Sequence, residues 1–317
     1  LGKLTLGHST TRFNAAQLLE NSMITSPFAA VRSIGVAAAF LGACLIAQAQ
    51  ELLVAQIGPF TVLPSPDAQE INAGAKAYFA QVNARGGIAG KQIKLVEFDD
   101  KFNADEFVKQ FDEAMKRKPV ALLSPIGSAA MQRLQKDKLL DKHDIAVVNA
   151  IPGSEAFRKP GHANMFHVRA GDLQQIEKII GNAQAMGISR MHVLYQSLPI
   201  GAAGMAVAKD VADKSGGKFN VAGTEAKHEE SALVEAARAV AVTSPQGVLL
   251  VGSPKFMADA LRALRLAGAR QFVFALSYLS ADLAIKVAGL EHARGLGIAQ
   301  AFPNPIGVAM ALQRNFK

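Results

Sequence analysis

The sequence predicts an α/β protein built as two doubly wound parallel-sheet lobes with a ligand cleft between them. Three observations lead there. From Glu51 onward, short apolar runs of strand length alternate with amphipathic stretches of helix length, the pattern of a parallel sheet covered on both faces. The alternation breaks near Val168-Arg169-Ala170 and then restarts. The chain has 317 residues, 50% of them hydrophobic and 19% charged, which is enough apolar material for two cores.

The elements follow in order. Residues 52–57 read as a strand and 68–83 as a helix, with Ile71, Ala75, Tyr78, Phe79 and Val82 along one face. Ser65-Pro66-Asp67 supplies a capping serine and a proline at the first helical position, and Gly86-Gly87 ends the helix. Strand 93–98, helix 104–116, strand 120–123, helix 129–140 and strand 145–148 complete the first set. The second set opens with helix 173–186, strand 191–195, helix 203–215 and strand 219–222. Helix 231–241, strand 247–251, helix 256–267, strand 271–275, helix 281–287 and strand 295–299 follow. Residues 50–168 with 300–317 are expected to form the first lobe, and 169–299 the second.

The front of the chain has a different character. Arg32 precedes an apolar run over 33–47, and Ala47-Gln48-Ala49 follows it. A positive flank, a short apolar run and a small-x-small exit make a secretory signal peptide, expected over 23–49 with cleavage after Ala49. The run is shorter than the roughly 20 apolar residues of a spanning helix. Residues 1–22 read as an upstream extension. Leu41-Gly42-Ala43-Cys44 offers an alternative, a lipoprotein box that anchors the protein through Cys44, although apolar Leu45-Ile46 disfavours it. The expected location is the periplasm.

Composition excludes several classes. The net charge of +8 is scattered, with Lys136, Lys138 and Lys142 interleaved by Asp137 and Asp141. With 3 tyrosines and no tryptophan for base stacking, nucleic acid is not an expected partner. Cys44 is the single cysteine, so no intramolecular disulfide forms, and no Cys/His grouping has metal-ligand spacing. No metal or cofactor is expected. An enzyme on a dinucleotide-binding fold is the rival class, but the first strand leads into Gly58-Pro59-Phe60-Thr61 rather than Gly-x-Gly-x-x-Gly. No nucleophile elbow, zincin or P-loop motif occurs either.

Asn72-Ala-Gly-Ala-Lys-Ala-Tyr-Phe, then Val82-Asn83-Ala-Arg-Gly86-Gly87-Ile-Ala-Gly90-Lys-Gln-Ile and Phe98-Asp99-Asp100 resemble the leucine/isoleucine/valine-binding family. These are type I periplasmic solute-binding proteins of ABC transporters. Gly127-Ser128, the loop 149–154, Phe166-His-Val-Arg169-Ala-Gly-Asp172, the segment 194–201 and Phe302-Pro303-Asn304-Pro305 fit the same family in the same order. The resemblance covers residues 51–305, and Asn-x-x-Gly-Gly-Ile-x-Gly is its most specific element. It implies two lobes closing on a ligand by hinge motion, and a monomer that delivers a small molecule to ABC permease membrane subunits. Family members continue past the position of Lys317, so the resemblance also implies a chain truncated at its C-terminus, with the first lobe incomplete.

The candidate ligand contacts lie at strand ends. Phe60 and Ser65 follow the first strand. Ser128 and Ala129 start a helix, where free N–H groups and the dipole favour a carboxylate; the bland reading is an ordinary cap. Asn149, Gly153 and Ser154 occupy a loop that resembles the family's second carboxylate-contacting loop, and a turn built of turn-formers is the alternative. Asp172 falls where the family binds the ligand amine, or caps a helix. Ile200 stands where family members often have an aromatic residue, and Leu276 where branched-chain binders have a glutamate, with Tyr278 beside it. These departures leave an amino acid, another carboxylate or an amide open as ligand. The function expected is substrate binding for an importer; the alternative is a ligand-sensing receptor domain of the same fold.

Overall fold

The computed structural model describes residues 51–62, 65–303 and 307–316. The signal-peptide and lipid-anchor readings, Cys44 and residues 1–22 lie outside the described residues, as do Asn304 and Pro305. Two five-stranded parallel sheets with flanking helices form the fold.

The first sheet contains β1 (Glu51–Gly58), β2 (Gln92–Asp99), β3 (Ala121–Leu123), β4 (Ala146–Val148) and β5 (Met165–Phe166), in the order β2-β1-β3-β4-β5. Between them run α1 (Ser65–Ala84), α2 (Ala104–Lys116), α3 (Ser128–Lys136) and α4 (Leu139–His143). The second sheet contains β6 (Arg190–Gln196), β7 (Asn220–Ala226), β8 (Gly247–Val251), β9 (Phe272–Ala275) and β10 (Leu296–Ile298), ordered β10-β9-β8-β6-β7. Its helices are α5 (Asp172–Ala185), α6 (Pro199–Asp213), α7 (Glu230–Thr243), α8 (Pro254–Leu266), α9 (Ala281–Ala288) and α10 (Leu290–Ala293). A last helix, α11 (Ala311–Phe316), ends the described chain. Counted within its own half, each sheet has the strand order 2-1-3-4-5, so the two halves repeat one topology without repeating a sequence.

Local chemistry accounts for the elements. Asn103 caps α2, its side-chain oxygen accepting from the N–H groups of Asp105 (2.9 Å) and Glu106 (3.0 Å). Phe107, Phe111 and Ala114 then bury one stripe of that helix under the first sheet. In β8 every residue is buried, as a central strand covered on both faces requires. Around it pack Phe256, Leu261 and Leu264 of α8 and Val240 of α7.

Three expectations need correction, and one strand was not foreseen. The helix expected over 129–140 is two helices, because Lys138 takes a left-handed φ of 52° and Asp137, ion-paired to Arg133 at 2.9 Å, ends the first. Strand β7 extends to Ala226, paired along its length with β6; as an edge strand it exposes Gly223 and Glu225, so apolar patterning stopped early. Strand β5 is too short to carry a pattern and is defined only by pairing with Val147 and Val148. On α1 only Ala68 and Asn72 are buried among the described residues, and Tyr78 is 63% exposed. That helix packs on β2 and β1 near a sheet edge, so its apolar stripe is only partly covered.

Candidate ligand-binding cleft

Parallel sheets leave a crevice where strand order reverses, outside the carboxyl ends of the strands flanking the reversal. In the first sheet that point lies between β1 and β3, and in the second between β6 and β8. The loops leaving those strands face one another across a cavity of about 220 Å³. Asp67 of α1, Phe102 and Asn103 of the β2–α2 loop and Ile126 to Ala130 at the start of α3 line it from the first lobe. Leu198, Pro199 and Ile200 at the start of α6, Ser253 and Pro254 at the start of α8, and Tyr278 line it from the second. An adjoining space of about 410 Å³ opens toward Glu70, His228 and Lys255, sharing Asp67, Phe102 and Leu198 with the first.

The start of α3 is shaped by glycine. Gly127 sits at φ 101°, where a side chain is strained, and a Cβ there would press the Phe102 ring at 3.2 Å. The ring is therefore packed against the helix entrance, and Ser128 and Ala129 follow at the cavity wall. On the other side, Gln196 at the end of β6 accepts the Ser253 N–H at 2.7 Å, tying the two switch-point loops of the second sheet together.

A polar junction joins the lobes beside the cavity. The Tyr278 hydroxyl accepts the Gly153 N–H at 2.9 Å and donates to Asp172 Oδ1 at 2.6 Å. Asp172 N–H in turn donates to the Gly153 carbonyl at 2.8 Å. The Arg169 guanidinium stacks 4.7 Å above the Tyr278 ring, donates to the Ile151 carbonyl at 3.3 Å and bonds the Ser277 hydroxyl. Burial raises the Asp172 carboxyl above the ordinary carboxylate range, against the Tyr278 hydrogen bond and the charges of Arg169 and Arg158. Burial, reinforced by the Asp172 charge, also drives the Tyr278 hydroxyl strongly upward, so it serves as a donor.

Of the residues expected from sequence, Ser128, Ala129, Ile200 and Tyr278 line the cavity. Phe60 stands apart, its N–H bonded to Asp99 at 2.9 Å, and Ser65 contributes the first residue of α1. Asn149 donates to the Ser124 hydroxyl at 3.0 Å, and Ser154 is buried before a short 3-10 turn. The free N–H expected at Gly153 is spent on Tyr278, and Asp172 lies 1% exposed behind that tyrosine, outside the cavity lining.

The sequence reading missed Asp67, Asp100, Ile151, Leu198 and Ser253 as lining residues. The signal was present, since each but Asp67 follows a recognised strand, but only the strand order tells which loops meet. Asp100 is fully buried; its Oδ1 accepts the Phe102 N–H at 2.8 Å, and no group of the protein reaches Oδ2. Burial pushes its carboxyl from 3.8 to about 6, the Phe102 N–H opposing the rise and Asp99 and Glu106 adding to it. Burial, then Glu70, pushes Asp67 from 3.8 to about 6 as well, against the pull of Arg169. Among the described residues no group of three or more His, Cys, Asp or Glu is arranged to hold a metal ion. No helix among them is long and apolar enough to cross a membrane.

The sequence profile of the periplasmic binding proteins matches residues 52–316. This chain belongs to that family. The periplasmic binding protein described here is similar in structure to an extracellular ligand-binding receptor from Verminephrobacter eiseniae, at 47% identity and TM-score 0.81, over 84% of this chain and 75% of that one. A substrate-binding periplasmic protein from Ralstonia solanacearum matches at 26% identity and TM-score 0.73, over 84% and 74% of the two chains. A branched chain amino acid ABC transporter protein from Thermus thermophilus, solved with valine, shares the fold at 17% identity and TM-score 0.66, over 78% and 64%. No curated protein matches the chain. The family and these neighbours are type I binding proteins and receptors rather than enzymes.

Proposed function

We propose that the protein is the extracytoplasmic substrate-binding component of an ABC importer, closing its lobes around a small amino acid or a related carboxylate or amide. The observation that carries this reading is the cavity itself. It sets the start of α3, with Ser128 and Ala129, opposite the start of α6, with Leu198 and Ile200. A carboxylate or amide oxygen fits the first wall, where helix N–H groups and the Ser128 hydroxyl donate. An apolar body fits the second, and a volume of about 220 Å³ suits a small molecule. Solved neighbours include a leucine binding protein from Thermotoga maritima and a fatty acid ABC transporter substrate-binding protein from Thermomonospora curvata. Leucine, valine and fatty acids all carry a carboxylate, and this supports a carboxylate at the α3 end here.

Ligand bound on one lobe favours the closed form only as far as it gains contacts from the other. Leu198 to Ile200, Ser253 and Tyr278 supply those second-lobe contacts, and closure creates a surface spanning both lobes for permease subunits to read. The protein acts as a monomer, exported by the signal peptide over 23–49 and released after Ala49 rather than held through Cys44.

Thermal shift against amino acids, aromatic and aliphatic carboxylates and amides tests the reading. A ligand at 100 times its Kd stabilises by about 2.7 kcal/mol, a midpoint rise of a few degrees, and Ser128→Ala weakens that response. Silence from the whole panel with a folded protein refutes the ligand class.

A further inference from the structure

Two adjoining spaces meet in the cleft, one of about 220 Å³ and one of about 410 Å³. Ser128, Ala129, Ile126 and Ile200 line the smaller, whereas Glu70, Gln196, His228 and Lys255 give the larger a polar wall. Asp67, Phe102, Leu198, Ser253 and Pro254 line both, so they form the boundary between the two. Phe102 from the first lobe and Leu198 from the second are the large apolar side chains of that boundary. Both are exposed, as side chains with open space on two sides are.

The backbone holds Phe102 in this place. Lys101 and Phe102 take φ of 50° and 54°, a left-handed conformation that is uncommon for bulky residues. Such strain persists only where the surroundings impose it. Here two carboxylates do so: Asp99 Oδ1 accepts the Lys101 N–H at 3.1 Å, and Asp100 Oδ1 accepts the Phe102 N–H at 2.8 Å. Asp99 is anchored in turn by the Phe60 N–H at 2.9 Å and the Thr61 hydroxyl at 2.5 Å. The Asp100 N–H donates to the Gly58 carbonyl at 3.0 Å, and Asn103, next in the chain, caps α2. Gly127 completes the seat, since a Cβ there would stand 3.2 Å from the Phe102 ring.

We propose that Phe102 sets the length of the ligand, as a wedge that ends the smaller space and keeps the ligand's body out of the larger one. This rests on the reading of the protein as a small-molecule binder, and it narrows the ligand to a short one. The polar end lies at Ser128 and Ala129, and the body stops against the Phe102 ring. Asp99 and Asp100 are positioning residues, which act through the loop backbone and not on the ligand. Loss of the ring joins the two spaces, and a longer ligand then reaches the larger one.

The test is titration calorimetry with pairs of probes that differ only in chain length. They are hexanoate and decanoate, hexanamide and decanamide, and L-2-aminohexanoate and L-2-aminodecanoate. Each pair is measured on the wild type, Phe102→Ala and Phe102→Asn, with urea unfolding to establish that each variant folds. Asparagine tolerates a left-handed φ, so the second variant keeps the loop conformation where alanine strains it. In the wild type, the shorter member of any pair that binds is favoured at least roughly tenfold. The ordinary trend is the reverse: the added methylenes, buried in continuous apolar space, tighten binding on the order of a hundredfold. In both variants the ratio shifts at least roughly tenfold toward the longer member, while the affinity of the shorter changes by less. A purely structural role for Phe102 weakens both members alike, and that unchanged ratio overturns the wedge. A wild type that binds the longer member as tightly as the shorter also overturns it. Either result leaves the binding function standing. Silence from every probe on a folded wild type refutes the ligand class instead and removes this inference with it.

Discussion

Asp100→Asn carries a stability consequence that can be worked from the structure without knowing the ligand. Asp100 is fully buried with Oδ2 unpaired, and burial raises its carboxyl from 3.8 to about 6. The folded protein thus binds that proton more tightly than the unfolded chain does. The stabilisation from the neutral carboxyl is fully present below the unfolded value and is lost as pH rises through about 6. The difference between 3.8 and about 6 corresponds to roughly 3 kcal/mol, an upper bound on the loss between pH 4 and pH 8. Asn at this position has no proton to lose and keeps the acceptor for Phe102 N–H. Asp99, Glu106 and Asp67 are present in both proteins, so their titration largely cancels in the comparison. Urea unfolding of both proteins at intervals from pH 4 to pH 8 measures the effect. The wild type should lose stability relative to the variant as pH rises, by about 1 to 3 kcal/mol in total. Parallel curves, within about 0.5 kcal/mol of a constant offset, would refute the account of Asp100 as a buried, uncompensated acid.

Tyr278→Phe removes the hydroxyl shared by Gly153 and Asp172, leaving an N–H and a carboxyl oxygen without that partner. It should cost roughly 1 to 3 kcal/mol in urea unfolding, and an unchanged midpoint would show that the junction contributes nothing. Gly153→Ala places a Cβ 2.8 Å from both the Tyr278 hydroxyl and the Asp172 nitrogen. A loss of about 1 to 3 kcal/mol is expected, less than additive with Tyr278→Phe because both act on one junction; full additivity would separate them.

Elements with strong internal patterns are legible in the sequence alone. Helix α2 matched the expected span of 104–116, since its cap, its stripe of Phe107, Phe111 and Ala114 and its ending are all local. Strand β8 likewise matched at 247–251, because a central strand is apolar throughout. Edge elements such as β5 and β7 were missed or cut short, as their identity comes from a neighbour's hydrogen bonds.

The site divides along the same line. Ser128 and Ala129 were legible as a helix start after a strand, and Ile200 and Tyr278 through the family resemblance. Asp172 was legible as an acidic residue at a helix start and through the family resemblance, but its burial behind Tyr278 depends on a partner 106 positions away. Asp100 followed a recognised strand, but the burial that raises it and Asp67 gave no local sign, because the cost of a carboxylate depends on which groups surround it. By itself, then, the sequence determined two parallel α/β halves and the strand ends where a ligand could sit, because periodicity and capping act over a few residues. The tertiary structure alone decided which strand ends face each other, which hydrogen bonds are already spent and which charge is left unpaired. Those are properties of atoms brought together from distant parts of the chain.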